Sequence, residues 1–148
     1  MKTILYIFII TVLLSFFSNC SQGKKAIAKP ESNQISMNTG LYDIWRLKEI
    51  KSKPINKDKS IVLELNTDKM SFMGNAFCNT IAGKIELNSS NKIQFKKMIA
   101  TRMACEALAD ENLYLNLLST VSSYQIKSLH LLLFNDSNEL VLDFIKMD

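Results

Sequence analysis

Glycine and proline are scarce, with four and two in 148 residues. Turns must therefore be written mostly in clusters of Asn, Asp and Ser. Histidine occurs once, as His130, and the three cysteines include no C-x-x-C pair. Two late cysteines and one distant histidine fall short of the four ligands of a structural zinc site. The missing C-x-x-C removes the usual frame of a thiol redox catalyst. No G-x-S-x-G is present, and no second histidine could complete a nucleophile–base pair, so hydrolase chemistry lacks its parts. Excess charge is also lacking. The net charge is +4, and Lys2 is the one charged residue of the first nineteen, leaving 17 basic against 14 acidic residues beyond them. Nucleic-acid binding calls for a denser basic face with interleaved aromatics. The basic residues thicken only at Arg46, Lys48, Lys51, Lys53, Lys57 and Lys59, where Asp43, Glu49 and Asp58 dilute them into a solvated loop. No cofactor, metal or nucleic acid is expected.

What is present begins with Lys2 and the apolar run Leu5–Leu14. That is the charged head and short hydrophobic stretch of a signal peptide, too short to span a bilayer core of about 30 Å. Phe17-Ser18-Asn19-Cys20 follows and resembles the lipobox of bacterial lipoproteins, whose cysteine is acylated and becomes the mature N-terminus. Asn19 is larger than the residue usual before that cysteine. The resemblance implies a signal peptide over 1–19, a flexible tether over 20–40 and a folded domain over 41–148. It also implies a membrane partner, reached through lipidated Cys20. One acyl chain anchors only marginally, whereas a triacylated cysteine would hold firmly, so the domain would need no membrane-binding surface of its own.

From Tyr42 onward the pattern alternates with the period of half-buried strands. Trp45 and Leu47 share one face, as do Ile61, Leu63 and Leu65. Met70–Met73 follows, and Gly74 is expected at a bulge or bend. Ile81, Gly83, Ile85 and Leu87 form a further strand, and Ile93 with Phe95 another. Then the period changes. Tyr114, Leu117, Leu118 and Val121 form one helical stripe, with Asp110 expected at the N-cap, Glu111 favouring the positive helix end, and Ser122-Ser123 closing it. Two last strands are expected, Tyr124–Phe134 and Glu139–Ile145. The fold class read from this order is α+β. It is a partly open antiparallel β-barrel, or curled sheet, of about seven strands, with one main helix inserted before the last two.

In order along the chain stand Trp45-x-Leu47, Gly74-x-x-x-Cys78-Asn79, Gly83, Thr101-Arg102-Met103-Ala104-Cys105, Glu111 and Tyr124. This set resembles the META domain (HslJ-like) family over roughly residues 41–146. The resemblance implies a compact, partly open barrel packed by a helix, often carried by envelope lipoproteins, and implies no known reaction. Phe77 stands where the family usually has glycine, so the backbone there is expected to be less extreme than in relatives. The larger side chain is expected to plug space that a glycine leaves open.

Cys78 and Cys105 admit two readings. Either they form a disulfide, whose loop of about 28 residues would contribute about 3–4 kcal/mol by chain entropy, or they pack as two buried thiols. Asn79 is expected to satisfy backbone groups at a sharp turn, Arg102 to serve as a surface ion-pair partner, Trp45 to anchor the core, and His130 to be structural or exposed. Taken together, the expectation is a non-enzymatic lipoprotein of the bacterial cell envelope, on the outer membrane facing the periplasm. It would act in interaction or stress tolerance, with a protein or lipid partner that the letters do not name. The alternative is a carrier or pilotin-like protein that takes an acyl chain or partner peptide into its cracked barrel.

Overall fold

The computed structural model describes residues 40–56, 59–88 and 90–147. Ten elements follow in order: β1 (Asp43–Ile50), β2 (Lys53–Pro54), β3 (Val62–Asn66), β4 (Ser71–Ala76), β5 (Asn79–Leu87), β6 (Ile93–Ala100), α1 (Leu108–Thr120), β7 (Val121–Lys127), β8 (His130–Asn135) and β9 (Leu140–Lys146). All strands join one antiparallel sheet in the order β6-β5-β4-β3-β1-β9-β8-β7, with β2 paired on β1. The fold is mostly β, a curled half-barrel with one helix among the described residues.

Alternation explains which face curls inward. Trp45, Leu47, Leu63, Leu65, Phe72, Ile81, Ile85, Ile93, Phe95, Leu131, Leu133, Leu142 and Phe144 are buried on the concave side, as a period of two requires. The buried Trp45 indole donates to the Leu41 carbonyl at 3.1 Å, which ties the entry of the domain to its core. The helix adds Tyr114, Leu117 and Leu118 to the same interior. β6 and β7 bound the opening. They lie against each other, and just before β6 the backbones pair at the bridge between Lys92 and Ser123 and through Tyr124 N–H donating to the Asn91 carbonyl at 2.9 Å. The helix joins them along the chain and packs against β6, β4 and β9.

Several expectations are corrected. Three strands follow the helix rather than two, because the stretch Tyr124–Phe134 folds into a hairpin at Ser128-Leu129, with Ser128 at φ 56. A further hairpin, β1–β2, turns through Lys51 and Ser52 at φ 47 and 59, the doubly left-handed geometry usually met by Asn-Gly. Neither turn carries glycine, and each holds a single serine rather than a cluster of turn residues. The helix starts at Leu108 behind Ala107, which provides no side-chain cap, and Asp110 lies within the first turn. Ser122 and Ser123 belong to β7.

The predicted bulge is also displaced. Gly74 lies in regular pairing with Leu63 and Ile81, and a Cβ there would stand 2.1 Å from the Val62 carbonyl oxygen. Close approach of a neighbouring strand, not bending, is what excludes a side chain. The bulge falls opposite Gly83, where β6 contributes one extra residue and Lys97 takes φ 50. Comparable irregularities shift β1 on β9, β7 on β8 and β8 on β9. They strengthen local twist, and they place Val121 with Ser122, and Val141 with Leu142, as consecutive buried pairs.

Candidate functional site

Asn79 opens β5 immediately after the turn Phe77-Cys78, and the turn is tight. Cys78 N–H reaches the Ala76 carbonyl at 2.6 Å, and Phe77 sits at φ 59 despite its bulk. The expectation of a milder backbone there is therefore corrected. A left-handed non-glycine residue costs about 1–2 kcal/mol, and packing offsets it. The Phe77 ring packs on the core, lies edge-on to Tyr114 at 6.4 Å between centroids, and has Lys59 Nζ 5.2 Å from its own centroid. It fills the space that a glycine would leave.

Glu111 meets this turn from the first turns of the helix. It is 3% exposed and Asn79 2%, and no other charged side chain among the described residues is as deeply placed. Glu111 Oε2 accepts the Cys78 N–H at 3.1 Å and the Asn79 N–H at 2.9 Å, while Oε1 accepts from Asn79 Nδ2 at 2.7 Å. Asn79 Oδ1 in turn accepts the Thr101 hydroxyl at 2.7 Å and the Met103 N–H at 2.8 Å. Thr101 also extends the β5–β6 ladder past its last strand pair. Its N–H donates to the Thr80 carbonyl and its hydroxyl oxygen accepts the Thr80 N–H, both at 3.1 Å. Cys78 and Cys105 are joined as a disulfide with Cα atoms 6.3 Å apart, within the span such a bond bridges.

The two sequence blocks thus converge on one buried cluster that clasps three segments: the β4–β5 turn, the strap 101–107 and the helix. A buried carboxylate is costly unless hydrogen-bonded, and each oxygen here has an N–H donor. Every polar atom of Asn79 and Glu111 is spent on structure.

Gly83 lies against the Phe72 ring and the Lys96 carbonyl, at 2.5 Å and 2.8 Å from the Cβ it lacks. Arg102, Met103 and Ala104 are exposed on the strap, and Arg102 makes no ion pair among the described residues. His130 stands on the outer face, its Nδ1 2.7 Å from Asp143 Oδ1. Of the basic stretch, Arg46, Lys48 and Lys59 line a surface cleft of about 410 Å³ with Glu49 and Ile55, and Lys59 reaches Asp110 at 3.7 Å. Cys20 and the Leu5–Leu14 run lie outside the described residues.

Glu111 is the functional residue whose role the sequence reading missed. Helix-end electrostatics seemed reason enough for an acid there. Its spacing of three, seven and ten from Tyr114, Leu118 and Val121 was the available signal, because it puts a carboxylate on the apolar stripe.

With this geometry in hand, a family profile described as META domain matches residues 41–147. The chain belongs to the META domain family. Solved structures similar to this META domain include a protein from Burkholderia xenovorans, with a TM-score of 0.57 and 24% identity over 74% of this chain and 86% of that one. Another is a DUF4847 family protein from Bacteroides vulgatus, with a TM-score of 0.53 and 17% identity over 72% and 95%. At these identities the likeness is one of fold. No curated protein matches significantly.

Proposed function

We propose that this chain is a non-enzymatic lipoprotein of the bacterial envelope, anchored through Cys20, whose META domain presents a rigid surface to a partner. The observation that carries the reading is the closed accounting of the Asn79–Glu111 cluster. The buried carboxylate of Glu111 and the buried amide of Asn79 are consumed in clasping the chain's own segments, which leaves a scaffold rather than a poised acid or base. Trp45, Tyr114 and Phe144 occupy the interior, which favours an interaction module over the carrier that would take an acyl chain inside. The Phe17-Ser18-Asn19-Cys20 stretch supports the anchor, and a disulfide suits an oxidising compartment such as the periplasm.

Replacing Cys20→Ser tests it. The expected result is loss of the protein from the membrane fraction, together with loss of the acyl mass from the intact protein in mass spectrometry. A membrane fraction that keeps the variant would defeat the anchor.

A further inference from the structure

An antiparallel meander alternates its turns between two ends. The domain is entered at Gly40, and the same rim must therefore carry the β3–β4, β5–β6 and β7–β8 turns and the end of β9. Contacts agree: Met147 N–H donates to the Ile44 carbonyl at 2.9 Å and Lys146 N–H to the Leu129 carbonyl at 2.7 Å. The disulfide, the strap and the helix start lie at the opposite rim, beyond the ends of β4 and β6.

This entry rim is apolar at its tips. Tyr42 is 54% exposed, Leu129 52% and Met70 37%, one from each of three separate segments. Lysines stand beside two of them in the chain, both exposed: Lys69 next to Met70 and Lys127 next to the Ser128-Leu129 turn. Asp68 is the one exposed acid among the described residues of these turns, since Asp43 is half-buried against Lys146. Apolar tips flanked by lysine match a bilayer surface with anionic headgroups, where apolar side chains enter the interface and lysine ammoniums meet phosphate.

We infer that this rim docks on an anionic lipid surface and fixes the orientation of the domain against the membrane. The inference rests on the proposed anchor for its occupant. Nineteen residues separate Cys20 from Gly40, a contour of at most roughly 70 Å, and the chain reaches the domain at the very rim that carries the apolar tips. An acyl anchor would supply retention; the rim supplies pose, with the opposite rim turned away from the lipid.

The test is amide hydrogen exchange of the full chain with and without vesicles of phosphatidylcholine and phosphatidylglycerol in equal parts. Exchange at 67–70 and 127–130 should slow several-fold on the vesicles, while exchange at 135–139, on the far rim, stays unchanged. Tyr42→Asp with Leu129→Asp, both at exposed positions, should abolish the slowing and leave flotation with the vesicles intact. Equal exchange at both rims in a vesicle-bound chain overturns the inference while the anchor stands. A Cys20→Ser chain that stays in cell membranes, with the entry rim still protected, defeats the anchor and leaves the rim in place. A chain that fails to float with vesicles defeats the docking outright.

Discussion

Tyr114 buries a phenol whose hydroxyl has no partner among the described residues. Burial pushes that phenol well above its ordinary value of 10.0. The unfolded chain releases the proton near pH 10 while the folded chain retains it, so this group's effect is flat below that pH and subtracts stability as pH rises past it. Tyr114→Phe should therefore stabilise by about 1 kcal/mol at neutral pH, because an unsatisfied polar atom is removed. The gain should widen above about pH 10. Urea unfolding at the two pH values checks this; a loss of stability in the variant would show that the hydroxyl has a partner after all. Asn79→Ala works in the opposite direction. It strips acceptors from Thr101 and Met103 and a donor from Glu111, and should cost about 3 kcal/mol. A change below about 1 kcal/mol would mean that the cluster relaxes without it. Asn79 was expected to satisfy backbone groups at its own turn, as side-chain amides do locally; Glu111 does that instead, and the Asn79 side chain reaches Thr101, Met103 and Glu111. The contact with Glu111 spans 32 positions, and no local pattern encodes it.

At the scale of elements, the helix is held less by its own ends than by what it reaches. It has no side-chain N-cap and no basic residue in its last turn, so its placement depends on Glu111, on Tyr114 against Phe144 at 6.5 Å, and on the disulfide just before it. Reducing that bond should lower stability by about 3–4 kcal/mol, read from urea unfolding with and without a thiol reductant. Exchange should rise first in the strap 101–107. A reduced protein of unchanged stability would assign the work to Glu111 alone. Strand faces were legible wherever period-two alternation ran unbroken, as in β3 and the first half of β6. An extra residue in β9 buries Val141 beside Leu142, an inward side chain that alternation through Leu142 and Phe144 does not foretell. Hairpins turning through Lys51-Ser52 and Ser128 escaped notice for a different reason. Left-handed backbone was imposed there by sheet closure rather than invited by glycine.

Over the whole molecule, Trp45 sets the scale of the core. It is 1% exposed at the centre of the sheet, and Trp45→Ala should cost about 3–5 kcal/mol, measured by denaturant unfolding; less than about 1 would deny it that position. The curled sheet and its helix could be foreseen because strand periodicity and the ordered family blocks agreed. The number of strands could not, since two of the hairpins turn through left-handed residues with one serine each and no glycine to mark them.

The order of the staves has a mechanical meaning. The first strand lies between β3 and β9, and the last strand lies beside it, so both chain ends run through the middle of the sheet while its free margins come from the interior of the sequence. A tug on the leader cannot peel β1 away one bond at a time. It must slide that strand past both neighbours at once, and a body hung by its N-terminus is thereby gripped where it yields last.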